Sequence, residues 1–327
     1  MGSAAVWHAH GVHTPSRLLS TTVLVVLALL LGACRPVQEV PPSDEPPVRV
    51  GTGQQAETQL LAAVIVELLV AAGTPAEVVD LADASDARRA LELGDVDVVP
   101  SYTGQAWLEV LNRADPPSDQ ATSLARVAEA DEAEGLVWLR PPISGDGVGA
   151  PPADATFAFV VDDDGPHADV ATMSQLATRL GQLSAPVLCV DPAFAEREDG
   201  LPVVLDAYSI APESVEPLGT TPDEAVLGVA AGDCDAGLTS ATDGSAWALG
   251  QRPLVDDLGV FPAFVVAPVV AEGELDRVEA ALRPLTRQLT TALLGGWNAR
   301  VAQGEMVAVV AADAAASLVA PAESAEG

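Results

Sequence analysis

Short runs that favour β-strands alternate with helical patterns along most of the chain, and this alternation restricts its fold more than any other feature. A strand pattern at 48–51 is followed by a helical pattern over 57–72 that stops at Gly73. Apolar side chains recur there every three or four residues, which is helical periodicity. Strands that alternate with helices form βαβ units. We therefore expect an α/β protein with mainly parallel sheets flanked by helices.

The alternation runs through the chain twice. The first cycle has predicted strands at 48–51, near 78–79, at 96–99 and at 136–139, and predicted helices at 57–72, 86–93, 103–112 and 119–134. The second has predicted strands at 157–161, 186–190, near 215 and at 234–238, and predicted helices or helical turns at 174–183, 194–197, 201–207 and 221–232. A β-prone stretch at 260–270 precedes a helical region at 275–302, with a break expected at Gly295-Gly296, and a short helix after residue 311. A chain of 327 residues has room for about two domains.

The charge balance excludes one class of function. The chain has 47 acidic residues against 15 basic ones, all of them arginine, which gives a formal net charge of -32. Nucleic-acid binding requires a basic surface, so it is excluded. Because 49% of the residues are hydrophobic and only 19% are charged, the chain is also too apolar to be an acidic disordered protein.

An apolar run near the start predicts export. It follows Arg17 and ends in the sequence Leu-Gly-Ala-Cys at Cys34, and it is shorter than the roughly 20 residues of a membrane span. We interpret residues 1–33 as a signal peptide. The Leu-Gly-Ala-Cys ending resembles the bacterial lipobox, which implies cleavage before Cys34 and lipid attachment to its thiol. The alternative is an unprocessed signal anchor with a chance cysteine. Residues 34–47 are rich in proline and are interpreted as a stalk.

The sequence gives little support for an enzyme. Removal of the signal peptide would leave His167 as the one histidine, in a polar stretch where an exposed loop side chain is expected. A Ser/His/Asp triad or a histidine-rich zinc site would rest on that residue alone. The acidic triplet at 162–164 lacks the ligand spacing of a calcium loop, and no dinucleotide or P-loop motif is present. We therefore predict no enzymatic activity, no cofactor and no metal site.

Several segments in a shared order resemble the substrate-binding proteins of ABC importers for glycine betaine, choline and related osmoprotectants. They are the Ala-Leu segment that ends in Tyr-Thr-Gly at 90–104, the Phe-Ala-Glu-Arg segment at 194–200, the Asp-Gly pair at 243–244, the acidic segment at 254–257 and the Phe-Pro pair at 261–262. The resemblance implies a two-lobed periplasmic-binding-protein fold of type II. Lobe one would be 48–156 and 263–320, lobe two 157–262, with hinge crossings near Phe157 and 261–262 and a disordered tail at 321–327.

The resemblance also implies a ligand site. In that family a box of tyrosines holds the quaternary ammonium and an arginine meets the carboxylate of betaine, positions that correspond here to Tyr102, Phe157 and Arg197. Phenylalanine keeps a π-face that attracts a cation and loses the hydroxyl. The two remaining box positions are matched by Val226 and Ser240, so two walls are expected to be missing.

Other residues complete the predicted site. Trp107 or Trp247 would replace the lost walls if the ligand is still a quaternary amine, and Gln105 is a further candidate for ligand contact. Gly53 stands where the family usually has a lysine or glutamine. The alternative is a different small solute with an anionic group that faces Arg197. With Tyr208 as the one other tyrosine, the chain cannot rebuild a box of tyrosines.

Two cysteines remain beside Cys34. Cys189 and Cys234 fall on predicted strands of lobe two that the usual order of such a sheet makes neighbours. Export to an oxidising compartment permits a disulfide, and two buried thiols are the alternative.

Together these expectations describe a monomeric, lipid-anchored receptor on the extracytoplasmic face of the cell membrane. It would bind a small zwitterionic or quaternary-amine solute between two closing lobes and deliver it to an ABC permease. The alternatives are a ligand-sensing or assembly lipoprotein that kept the fold, and a receptor for another small anionic or polar solute.

Overall fold

The computed structural model describes residues 45–143 and 150–320, which form two five-stranded sheets flanked by helices. The first sheet has the order β2-β1-β3-β10-β4 and contains β1 (Val48–Thr52), β2 (Ala76–Asp80), β3 (Val98–Tyr102), β4 (Leu136–Trp138) and β10 (Val266–Ala271). The second has the order β7-β6-β8-β5-β9 and contains β5 (Phe157–Asp162), β6 (Val187–Val190), β7 (Glu216–Gly219), β8 (Ala236–Ser240) and β9 (Gln251–Pro253). The predicted two-lobed α/β fold is confirmed.

Twelve helices flank the sheets among the described residues. The first part of the chain has α1 (Ala56–Ala71), α2 (Ala84–Leu93), α3 (Thr103–Glu109) and α4 (Gln120–Glu132). The part around the second sheet has α5 (Met173–Leu180), α6 (Pro192–Glu196), α7 (Leu201–Ala207), α8 (Pro222–Ala231) and α9 (Gly244–Ala248). The chain ends with α10 (Leu275–Gln288), α11 (Thr291–Ala302) and α12 (Val307–Val319).

Some predicted segments lie outside the described residues. These are the signal peptide, Cys34, nearly all of the stalk, and the tail at 321–327. No helix of the described part combines the length and the apolar character that a membrane crossing requires.

Helix α8 shows how local sequence signals set helix ends. The Thr221 hydroxyl accepts a hydrogen bond from the Glu224 amide, and the Glu224 carboxylate accepts one from the Thr221 amide at 2.8 Å. Pro222 occupies the first turn, and Gly232 ends the helix at a φ of 76°, a conformation that favours glycine. The helix was predicted at 221–232, and the structure confirms it.

Both sheets are mixed: four of the five strands in each run in one direction, as the expected mainly parallel sheets require, and one strand runs against them. In the first, β1 runs parallel to β2 and β3, whereas β10 runs antiparallel to β3 and β4. In the second, β6 runs parallel to β7 and β8, whereas β5 runs antiparallel to β8 and β9. The physical reason is connectivity: β5 and β10 enter their sheets from the other lobe, so no helical crossover within the lobe imposes a parallel direction.

Two chain segments, 153–155 and 264–266, pair with each other and connect the two sheets. The Val266 amide donates to the Ala153 carbonyl at 2.9 Å, and the Ala155 amide donates to the Phe264 carbonyl at 3.0 Å. The Asp154 carboxylate accepts hydrogen bonds from the Phe264 amide at 2.7 Å and from Gln120 Nε2 at 2.9 Å. Burial raises the pKa of Asp154, although these hydrogen bonds oppose the shift. The paired segments form one connection between the sheets, and the lobe boundaries given above stay a prediction.

His167 is buried, so the prediction of an exposed loop side chain is wrong. Its exposed fraction is 4%, and its Nε2 lies 2.9 Å from Asp235 Oδ1. The second oxygen of Asp235 accepts a hydrogen bond from the Val187 amide at 2.8 Å. The polar loop folds back onto the second sheet, where Asp235, which directly precedes β8, is the partner of the buried histidine.

The break in the C-terminal helical region was also predicted at the wrong place. The chain breaks at 289–290, where the Thr290 hydroxyl caps α11 by accepting a hydrogen bond from the Leu293 amide. Gly295 lies inside α11, and a Cβ atom there would overlap the indole ring of Trp247 in α9. Gly244 in turn lies against α11, since a Cβ there would be 2.5 Å from the Asn298 carbonyl oxygen. These glycines permit close helix packing and do not break the helix.

Alanine substitutions at the two adjacent glycines will have opposite effects. We expect Gly295→Ala to lower the free energy of unfolding by about 1–3 kcal/mol, because Trp247 must move away. At Gly296 no atom lies within 4 Å of the place that a Cβ would take, so Gly296→Ala should be neutral or stabilising by up to about 1 kcal/mol. Urea denaturation of both variants measures the difference, and equal effects would contradict the packing described.

Candidate functional site

A cavity of about 760 Å³ lies between the two sheets, beside the paired crossing segments. Its walls include the start of α1, the junction of β3 and α3, the loop after β8, α11 and both crossing segments. Tyr102, Gln105 and Ser240, which the sequence analysis selected, all line it. Clefts between lobes are common places for small-molecule sites.

Hydrogen bonds join the first sheet, the C-terminal helices and the loop after β8 at one wall of this cavity. The Tyr102 hydroxyl donates to Glu57 Oε1 at 2.7 Å. Asn298 Nδ2 donates to Glu57 Oε2 at 2.5 Å and to the Thr242 carbonyl at 2.9 Å. Burial and the adjacent Glu57 carboxylate raise the pKa of Tyr102 well above its ordinary value. The hydroxyl therefore stays protonated and holds the ring in place at neutral pH.

The Tyr-Thr-Gly segment that starts α3 also positions a second aromatic ring. The Thr103 hydroxyl donates to the Ala263 carbonyl at 3.1 Å and accepts from the Val265 amide at 3.0 Å. Gly104 has no Cβ, and the Phe264 ring lies against its backbone where a Cβ would overlap it. Phe264 lines the cavity together with Tyr102. The sequence analysis missed Phe264, although the glycine after Tyr-Thr signals such a close approach.

The lobe-two side carries a cluster of aromatic rings. Phe157 pairs with Ser240 across β5 and β8 and keeps 42% of its surface exposed. Its ring centroid lies 6.0 Å from that of Phe194 and 6.4 Å from that of Phe261. The Arg197 guanidinium lies 5.6 Å from the Phe194 ring centroid, and its Nε lies 2.5 Å from Asp199 Oδ1. Phe157 and Arg197 are thus linked through Phe194, and neither lines the cavity.

The two tryptophans that were predicted to contact the ligand, Trp107 and Trp247, lie outside the cavity. Trp107 is buried in the core of the first lobe and donates its indole N–H to the Ala114 carbonyl at 3.1 Å. Trp247 packs against Gly295 and donates its indole N–H to the Ala241 carbonyl at 3.0 Å. Neither residue lines the cavity, because each ring is held by a backbone carbonyl close to it in sequence. This placement gives no support to the expectation that they replace box walls.

Two departures from the family pattern have local explanations. A Cβ at Gly53 would lie 2.8 Å from the Asp83 carbonyl carbon, so the backbone before α2 occupies the space of a larger side chain. Val226 is fully buried in the core beneath β5 and does not reach the cavity. Phe264 therefore gives the cavity an aromatic ring from a segment that the family pattern did not indicate.

Glu57, Thr242 and Asn298 are further cavity residues that the sequence analysis did not select for ligand contact. Glu57 lies at the start of the first predicted helix, where no local signal marks it for ligand contact. Asn298 follows Gly295-Gly296, and close packing at these glycines places it against the loop after β8. The glycine pair was the available signal, but it was interpreted as a helix break.

The cysteines of the second lobe are close in space. Cys189 lies in β6, Cys234 precedes β8, and their Cα atoms are 5.8 Å apart with the sulfur atoms in contact. This Cα separation is typical of disulfides. Gly228 of α8 makes room for both sulfur atoms, since a Cβ there would lie 2.8 and 3.1 Å from them.

The chain is similar to two curated relatives over most of its length. It is 29% identical over 300 residues to the "Glycine betaine-binding protein YehZ" of Escherichia coli strain K12, covering 88% of this chain and 94% of the relative. It is 29% identical over 264 residues to a "Glycine-betaine-binding protein" of Pseudomonas aeruginosa, covering 78% of this chain and 82% of the relative.

Solved structures agree with this similarity. The structure titled "Apo YehZ", from Escherichia coli, superposes with a TM-score of 0.73 at 27% identity and covers 82% of this chain and 97% of that one. A structure titled "glycine betaine/carnitine/choline ABC transporter" has a TM-score of 0.69 at 21% identity, covers 81% of this chain and 96% of that one, and supports the fold alone.

The family model described as "Substrate binding domain of ABC-type glycine betaine transport system" matches residues 46–317. The chain therefore belongs to this family of substrate-binding proteins of ABC transporters.

Proposed function

We propose that this substrate-binding protein receives a small quaternary-amine solute in the cavity between its sheets and delivers it to an ABC permease. Members of its family are binding proteins and not enzymes. The names of the two curated relatives, both of which refer to glycine betaine, support a ligand of this chemical class.

The placement of Tyr102 and Phe264 carries this proposal. Both rings line one cavity, and Phe157 of lobe two is a further exposed aromatic ring, although it does not line the cavity. A desolvated cation over an aromatic face is stabilised by about 2 kcal/mol or more. A quaternary ammonium has no N–H donor and depends on such faces, so this arrangement suits it better than a ligand that needs many hydrogen bonds.

Closure of the two lobes would complete the site. The paired segments around Ala155 and Phe264 connect the lobes and are the natural hinge. Phe157 and Arg197 lie on the same side of lobe two, linked through Phe194. Closure would bring this surface toward Tyr102, and a solute that contacts both lobes would favour the closed state. In this proposal Arg197 would meet an anionic group if the solute has one.

The location follows from the sequence. A lipid on Cys34 would hold the receptor at the extracytoplasmic face of the cell membrane, with residues 34–47 as spacer and the monomer free to meet its permease. The acidic surface cannot attract an anionic membrane, so the anchor would have to be the lipid.

Calorimetric titration with glycine betaine, choline, carnitine and proline tests the function. We expect at least one quaternary amine to bind. We expect Tyr102→Leu to weaken that binding about 30-fold through loss of the π-face. Tyr102→Phe keeps the π-face and is the control, expected within about threefold of wild type.

Three results would contradict parts of this proposal. Failure of every solute to bind the folded protein, and of a wider solute panel, would favour a sensing or assembly lipoprotein. Binding of proline alone would favour a receptor for another small polar solute. Unchanged affinity of Arg197→Ala for a ligand with an anionic group would remove Arg197 from the site.

A further inference from the structure

The walls of the cavity carry negative charge. Among the described residues that line it, Glu57, Glu109 and Asp243 have carboxylate side chains, and none is an arginine or a histidine. A solute with a net positive charge is attracted by such walls, and an anionic group is repelled. The charge of the cavity therefore bears on which quaternary amines it accepts.

The three carboxylates differ in what they contact. Asp243 caps α9 by accepting from the Ala246 amide at 2.8 Å, and its other oxygen accepts from the Thr239 hydroxyl at 2.8 Å. Glu109 is exposed and accepts from Gln105 Nε2 at 3.1 Å. Asp243 and Glu109 therefore both have local partners, Asp243 at a helix end and Glu109 at the solvent-exposed rim.

Glu57 is the carboxylate that faces the aromatic part of the cavity. It is half-buried, and its two oxygens accept from the Tyr102 hydroxyl and the Asn298 amide. Both donors are neutral, so they hold the carboxylate in place without cancelling its charge. The Tyr102 ring that would contact a quaternary ammonium is thus fixed directly to a negative charge.

The arginine that would approach an anionic group on closure does not line the cavity in this structure, and it would bring its own carboxylate partner with it. Arg197 lies outside the lining, and Asp199 is its partner in an ion pair. In glycine betaine a single carbon separates the ammonium nitrogen from the carboxylate. A betaine whose ammonium lies against Tyr102 would therefore hold its own carboxylate within a few ångströms of Glu57.

We infer, on the basis of the proposed function, that this cavity selects an organic cation without a carboxylate, such as choline, over a zwitterion. Glu57 is the counter-charge of the bound cation. Charge interactions at this separation are strong where water is displaced, because the effective dielectric constant is lower than in bulk water. The same carboxylate that attracts a cation then penalises a zwitterion.

Calorimetric titration of three compounds of similar size tests the inference on the wild-type protein. They are choline, glycine betaine and 3,3-dimethyl-1-butanol, the uncharged carbon isostere of choline. We expect choline to bind at least about tenfold more tightly than glycine betaine. This comparison requires no variant, so it does not depend on the folding of a mutant.

Glu57→Gln then tests the residue. It removes the charge and keeps an amide that can hydrogen-bond to Tyr102 and Asn298. We expect choline affinity to fall about tenfold while affinity for 3,3-dimethyl-1-butanol stays within about twofold. Glu67→Gln is the matched control, since it removes the same charge from α1 about 15 Å away, and it should leave choline affinity unchanged.

The outcomes separate this inference from the proposed function. Tighter binding of glycine betaine than of choline would overturn the inference and leave the proposed function intact. Equal losses for choline and its uncharged isostere in Glu57→Gln would overturn the role of Glu57 as counter-charge. Failure of all quaternary amines to bind the folded wild-type protein would overturn the proposed function itself.

Discussion

Asp131→Ala will lower the free energy of unfolding by about 3–5 kcal/mol, because it leaves Arg88, whose side chain is only 13% exposed, without its partner. The Asp131 side chain is fully buried, and its two oxygens accept from Arg88 Nη2 at 2.6 Å and Arg88 Nη1 at 2.7 Å. The Trp138 indole N–H donates to the same carboxylate at 2.6 Å. The substitution thus removes the partner of a charged group and of a buried donor at once.

The exposed acid Glu129 on the same helix is the control. Its pair with Arg126 spans 3.6 Å, and both side chains are more than half exposed. Glu129→Ala should therefore change the free energy of unfolding by less than about 1 kcal/mol. Urea denaturation followed by tryptophan fluorescence measures both variants. A loss below about 1 kcal/mol for Asp131→Ala would show that Arg88 finds sufficient compensation in Glu92, its second partner at 2.7 Å.

Removal of the predicted disulfide between Cys189 and Cys234 will have the second large effect. The two cysteines are 45 residues apart in sequence, and closing a loop of this length in the unfolded chain is worth about 4 kcal/mol in the chain-entropy model. We expect Cys189→Ala with Cys234→Ala to lower the free energy of unfolding by about 2–5 kcal/mol. Reduction of the wild-type protein should have a similar effect.

Peptide mapping by mass spectrometry checks the bond itself. We expect the peptides that contain Cys189 and Cys234 to be linked under non-reducing conditions. Free thiols at both positions, together with an unfolding transition that does not respond to reductant, would support the alternative of two buried thiols. Gly228 gives a further check, since Gly228→Ala should disturb the sulfur pair that it contacts.

Secondary structure could be predicted wherever the signal was local. Helix α8 could be predicted at 221–232, because Thr221, Glu224 and Gly232 act on neighbouring residues. β9 was missed because it has three residues, two of them polar. The Gly295-Gly296 pair was misinterpreted because a glycine in a helix can mark either a break or a close contact, and Trp247 decides between them.

The candidate site could be predicted only in part. Tyr102, Gln105 and Ser240 line the cavity as expected, because each lies in or beside a recognisable family segment. Trp107 and Trp247 were selected as aromatic residues near such segments, yet their rings face other contacts. His167 is buried for a comparable reason: its partner Asp235 lies 68 residues further along the chain.

The sequence by itself determined the α/β elements, the two-lobed order, the family and the position of Tyr102, because these depend on short motifs and local periodicity. Only the tertiary structure decided which side chains share the cavity. Thr103 bonds to Ala263, 160 residues away, and this contact places Phe264 against Gly104. Likewise Asn298 meets Glu57 across 241 residues. Such contacts form when distant segments pack together, so neither the place of Phe264 in the cavity nor the charge of the cavity is visible in any local pattern.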